Sequence, residues 1–155
     1  KGKVVPPPEP LAWNAAKFFE AAKNNVNEPQ LAAIKRVYQF AVQHADQVRW
    51  TRSQRGAFRP QFKSPYAGIH IKRKVGPLFT VYTDGELSLN FGYLKHYEQL
   101  KKYRDRFATR LRELDFPSIP DDLEIESVTI PIKDWERHVD GFIQAVQDIF
   151  VSPKQ

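Results

Sequence analysis

The sequence predicts an α+β fold, an antiparallel β-meander of about five strands packed against helices, two before it and two after it. Three observations carry that expectation. Apolar residues recur at helical spacing over residues 31–42 and 95–114, and switch to alternation between Val48 and Phe91. An Asp84-Gly85 pair joins the two strongest strands. With 155 residues, 41% of them hydrophobic and 13% aromatic, the chain can bury a core without crosslinks.

Residues 1–10 (KGKVVPPPEP) are Pro-rich, and Pro6-Pro7-Pro8 favours an extended, semi-rigid segment. We expect a leader or linker there, followed by a single α+β domain over residues 11–155. The chain starts with Lys and contains no Met, as expected of a piece of a longer protein. Residues 14–23 (NAAKFFEAAK) predict a short helix capped by Asn14. Asn27-Glu28-Pro29 opens a second, with Pro29 at the first helical position and a stripe of Leu31, Ile34, Val37, Tyr38, Ala41 and Val42.

Beyond Asp46, strands at 48–51 and 57–62 flank a turn at Gln54-Arg55-Gly56, and Ile69 and Ile71 alternate with His70 and Lys72 in a third. Residues 78–83 and 86–91 form the clearest hairpin. Asp-Gly suits a type I′ turn, in which both central residues take positive φ. Leu87, Leu89 and Phe91 then share one face, and Glu86, Ser88 and Asn90 the other. A third helix over 95–114 buries Tyr97, Leu100, Tyr103, Phe107, Leu111 and Leu114, with Lys101, Lys102, Arg104, Asp105 and Arg110 outside. The two prolines of FPSIP (116–120) preclude its continuation. Val128, Ile130 and Ile132 alternate in a late strand, which Pro131 assigns to a sheet edge. The last helix, over 134–150, buries Trp135, Val139, Phe142, Ile143, Val146 and Phe150.

Several function classes are excluded or lack their signatures. Without cysteine there is no disulfide, thiolate nucleophile or Cys-ligated metal. No apolar run nears the ~20 residues that span a bilayer, and no signal peptide is legible, so a cytoplasmic location without a membrane partner is expected. Neither GxxxxGK[ST], GxGxxG nor HExxH occurs, and His44, His70, His96 and His138 fall in different predicted elements. No Asp or Glu has Lys two positions later, which speaks against a self-contained nuclease of the (D/E)-x-K type. Asp84 and Glu86 flank a hairpin tip and read as turn chemistry and a solvated face, or as a cation or acid–base pair. Asp121, Asp122, Glu124 and Glu126 form an acidic loop. No catalytic residue, metal ligand or cofactor is assigned.

The net charge of +6 is unevenly placed. Between Asp46 and Asp84 there is no acidic residue, yet eight basic ones: Arg49, Arg52, Arg55, Arg59, Lys63, Lys72, Arg73 and Lys74. The remainder holds sixteen basic against eighteen acidic residues, so the whole surplus sits on the meander. Trp50, Phe58, Phe62, Tyr66, Phe79 and Tyr82 are interleaved with it. Cations release phosphate counterions and rings stack on bases, so this pattern suits nucleic acid. The candidate contacts are the eight basic residues, with Trp50 and Phe58 as stacking partners. Arg52, Arg55 and Arg59 around Gly56 could form a phosphate-holding loop, because glycine lets backbone N–H groups approach closely. The same pattern also serves a solvated face, an acidic protein's docking site, or a protein-interaction or self-association module.

The runs Trp50-Thr51-Arg52-Ser53-Gln54-Arg55-Gly56-Ala57-Phe58-Arg59-Pro60, 78–91 (LFTVYTDGELSLNF) and Tyr93-Leu94-Lys95 resemble an uncharacterised bacterial domain often found C-terminal to restriction-endonuclease-like modules. The resemblance covers residues 13–150. That domain has Gly after the Trp and Ser before the Phe, where this chain has Thr51 and Ala57, which weakens a phosphate-loop role. It has no established catalytic residues, so none carry over. What the resemblance implies is an accessory or targeting domain of a nuclease or defence-type protein. Its partners would be nucleic acid, DNA ahead of RNA, and a protein partner or an N-terminal module of the same parent chain.

Overall fold

The computed structural model describes residues 12–62, 76–94 and 98–151. Two helices, α1 (Ala15–Asn25) and α2 (Glu28–His44), precede a five-stranded antiparallel sheet. Its strands are β1 (Gln47–Trp50), β2 (Ala57–Gln61), β3 (Phe79–Tyr82), β4 (Leu87–Leu89) and β5 (Val128–Ile130), lying side by side in chain order. Helix α3 (Glu98–Glu113) connects β4 to β5. After β5 come α4 (Ile132–Trp135), a 3₁₀ turn (Glu136–His138), α5 (Val139–Val146) and a π-helical turn (Gln147–Val151). The α+β class and the helix placement agree with the sequence reading, and β5 occupies the expected edge. The strand expected around Ile69 and Ile71, and Tyr97, lie outside the described residues.

Local chemistry explains the element ends. The Asn14 side chain accepts from the Lys17 backbone N–H at 2.9 Å, capping α1. At α2, Asn27 and Gln30 exchange side-chain and backbone hydrogen bonds in a capping box, and Pro29 occupies the second helical position rather than the first. Helix α3 stops before the prolines. Asp115 adopts φ 60°, its N–H donates to the Arg112 carbonyl, and the Phe116 N–H reaches back to that of Leu111. That pair of bonds is a Schellman termination, satisfying carbonyls that the helix leaves free.

The hairpin differs from the type I′ expectation. Only Gly85 has positive φ, at 84°, and Tyr82 pairs with Glu86 across a three-residue loop. The Gly85 N–H donates to the Tyr82 carbonyl at 2.8 Å. This is the type I turn followed by a left-handed residue that three-residue hairpins favour.

One face of the sheet carries the core. Phe58, Phe79, Val81, Leu87, Leu89 and Ile130 are fully buried there with Phe18, Ile34, Val37, Phe107, Trp135 and Phe142. The Phe58 ring lies 5.3 Å from Phe18 and 5.2 Å from Tyr38, and Phe79 lies 4.9 Å from Phe142, all edge-to-face. Two helix stripes need correction. Val42 is exposed while Phe40 is buried, its ring 4.9 Å from His44 and 6.3 Å from Phe62. Arg104, expected outside, is 7% exposed and anchors the acidic loop, bonding Asp105, Glu124 and the Leu123 carbonyl.

Candidate functional site

The strand alternation that buries Trp50 and Phe58 turns Arg49 and Arg59 to the opposite face of the sheet. Register makes them direct neighbours, since Arg49 pairs with Arg59 across β1 and β2 just as Trp50 pairs with Phe58. Further along that face Thr80 pairs with Ser88, and Ser88 with Thr129. A polar row thus crosses the sheet from two arginines to three hydroxyls. The hydroxyl end is internally satisfied: Asn90 donates to Thr80 Oγ1 and the Pro77 carbonyl, and Ser88 donates to Asn90 Oδ1.

The arginine end is not. Both guanidinium groups are half-buried, and among the described residues neither has a carboxylate partner. Arg49 Nε is buried without any acceptor. Among the described residues, Arg59 donates one side-chain hydrogen bond, to the Tyr93 hydroxyl oxygen at 3.4 Å. Like charges directly opposite on a sheet destabilise it, and a buried N–H without an acceptor adds a desolvation cost. Tyr93 is 40% exposed, and its ring rests on Gly76, where a Cβ would meet the ring at 2.6 Å. A cavity of about 170 Å³ beside it is lined by Asn90, Gly92, Tyr93, Glu126 and Ser127.

The β1–β2 loop is arranged differently from the phosphate-holding loop expected around Gly56. Arg55 is engaged by two carboxylates, Asp84 at 3.2 Å and Glu86 at 2.5 Å, and its guanidinium lies 3.6 Å over the Tyr82 ring. Desolvation pulls its pKa down, but the hydrogen bond to Glu86 and the field of Asp84 prevail and raise it. Gly56 is covered by Trp13, whose ring lies 2.5 Å from where a Cβ would stand. Trp13 is held there by its backbone N–H on the Thr51 carbonyl and its indole N–H on that of Ser53. Thr51 donates its hydroxyl to the Arg55 carbonyl and accepts from the Ala57 N–H, tying the loop off. Glycine at 56 therefore admits an indole, not a phosphate.

No family model, no curated protein and no solved structure matches this chain.

Two further corrections concern the aromatic candidates. Phe58 is fully buried, so its ring is closed to a base while the helices are in place. Trp50 is half-buried and turned the same way, with Phe18 and Tyr38 each 5.7 Å from it. Of the basic candidates, the sheet brings Arg49 and Arg59 together. Arg52 is exposed on the loop with no carboxylate partner among the described residues, and Arg55 is occupied by acidic ones. Lys63, Lys72, Arg73 and Lys74 lie outside the described residues. Tyr93 was not among the sequence candidates. Its one signal is its place two residues past the alternating run that ends at Phe91.

Among the described residues, no group of three or more His, Asp or Glu side chains is placed to hold a metal ion. Nor is any helix among them long and apolar enough to cross a membrane. Glu124 of the acidic loop is taken up by Arg104, whose hydrogen bond holds its carboxyl below the usual glutamate range. A shallow cavity of about 300 Å³ between α3 and the C-terminal helix is walled by Asp105, Arg106 and Arg110, with Arg110 bonded to Asp148 and Glu113.

Proposed function

We propose that this chain is a non-catalytic accessory domain that contacts nucleic acid through its basic meander, on the side of Arg49 and Arg59. One observation carries the reading: Arg49 and Arg59 face each other across β1 and β2 with no carboxylate partner among the described residues. An arrangement that is electrostatically unfavourable alone becomes favourable when an external phosphate sits between the two guanidinium groups. Arg52 adds a cation with no carboxylate partner among the described residues on the adjoining loop, and Lys63, Lys72, Arg73 and Lys74 add sequence-local charge. The domain's attachment to a nuclease or defence-type protein, and DNA ahead of RNA, rest on the resemblance given above.

Fluorescence anisotropy against labelled DNA and RNA over a salt series tests the reading. Affinity should fall with salt at a logarithmic slope of about 0.7–0.9 per phosphate neutralised. Arg49→Gln with Arg59→Gln should weaken binding and flatten the slope. No binding to any oligonucleotide at low salt would end the proposal, and capture of an acidic polypeptide instead would point to a protein-docking face.

A further inference from the structure

We infer that the surface formed by Arg49, Arg59 and Tyr93 is a seat for single-stranded nucleic acid, with a phosphate held between the arginines and a base stacked on the tyrosine. The inference rests on the nucleic-acid reading above and narrows it to one strand state and one set of atoms. Three features of the geometry combine. Arg49 and Arg59 are cross-strand partners on one face of the sheet, and Arg49 Nε is buried and lacks an acceptor. Arginine presents a planar fork that bonds phosphate oxygens in pairs, so a phosphate held at the terminal nitrogens would neutralise two cations that no described carboxylate meets. Among the described residues, Tyr93 is the large aromatic with the greatest exposure, and the Gly76 backbone backs its ring, so a base can cover the free side without moving it.

The Arg59–Tyr93 contact sets the spacing, because it places the ring's polar edge beside the guanidinium that would hold the phosphate. A phosphate and the base of a neighbouring nucleotide stand side by side in a splayed single strand. In a duplex the bases face one another and are closed to an aromatic platform. Among the described residues, Phe58 is buried, Trp50 packs against Phe18, and Tyr82 lies beneath Arg55. Glu126, close to Gly92, bounds the seat on its acidic side.

The test compares a short fluorescein-labelled oligo(dT) with a duplex of equal length, for the unmodified chain and for Tyr93→Leu, Tyr93→Phe and Arg49→Gln/Arg59→Gln. Thermal melts verify that each variant is folded. Oligo(dT) should bind more tightly than duplex. Tyr93→Leu should weaken oligo(dT) by about 5–100-fold, the span of one lost stacking contact, and leave duplex affinity within about twofold. Tyr93→Phe, which keeps the ring, should stay close to the unmodified chain. The double arginine variant should weaken both ligands. Binding of both strand states with no selective effect of Tyr93→Leu overturns the single-strand seat and leaves the broader reading standing. Absence of binding to either ligand removes both.

Discussion

Changing Gly85 to Ala tests the hairpin and its docking on the C-terminal helix together. Gly85 has φ 84°, a region in which an L-residue costs about 1–2 kcal/mol. A Cβ there would stand 2.6 Å from Ile132 Cβ and within 3.1 Å of both its γ carbons. That neighbour is a β-branched side chain anchored close to its own backbone, so relief requires α4 to shift, at a further cost of about 1–3 kcal/mol. The Gly85 carbonyl also accepts the indole N–H of the fully buried Trp135 at 2.8 Å, so a shifted hairpin loses that bond as well. We expect Gly85→Ala to destabilise the fold by about 2–5 kcal/mol, lowering Tm by roughly 5–15 °C for a domain of this size. Urea unfolding followed by far-UV circular dichroism measures the difference directly, with an unchanged m-value indicating that only stability moved. Gly85→Asn separates the two contributions, because asparagine tolerates positive φ but keeps the Cβ. It should recover no more than about 1 kcal/mol. A Gly85→Ala protein that unfolds at the original urea midpoint would refute the close packing of the hairpin on Ile132.

Three other outcomes follow from the same structure. Asp115→Gly, at the left-handed residue that ends α3, should raise stability by about 0.5–1 kcal/mol in urea unfolding, since glycine adopts φ 60° without a Cβ penalty. Because Arg104 lowers the folded-state pKa of Glu124, that carboxylate's contribution is present above the ordinary glutamate value of about 4.3 and is lost as pH falls through the lower folded value. Glu124→Gln should therefore lower stability at neutral pH, leave it nearly unchanged at pH below the folded value, and flatten the fall between the two. Asp84→Asn with Glu86→Gln frees Arg55 from its two carboxylates. On the proposed function, it should tighten oligonucleotide binding and steepen the salt slope by up to about 0.9, read by anisotropy.

Much of the fold was legible because it depends on local rules. Asn14 and Asn27 cap helices through their own short side chains, and Pro131 directly follows the edge strand β5 and precedes α4. The alternation of Leu87, Ser88 and Leu89 fixes which side chains join the apolar core, although all three are buried. Where the reading slipped, a distant element decided. Phe40, buried where Val42 is not, packs its ring 6.3 Å from Phe62, which follows β2. Arg104 is buried because Glu124 and the Leu123 carbonyl return to meet it, a partnership that helical periodicity within α3 does not encode.

The candidate site divides in the same way. Sequence alone determined the α+β class, the faces of the hairpin and the concentration of positive charge between Asp46 and Asp84, because each follows from residues near one another in the chain. Tertiary structure decided which of those charges remain free. Strand register set Arg49 against Arg59, the hairpin brought Asp84 and Glu86 onto Arg55, and Trp13 returned to cover Gly56. Charge is a property of a residue, but its neutralisation is a property of distance, and those distances exist only once the strands have paired.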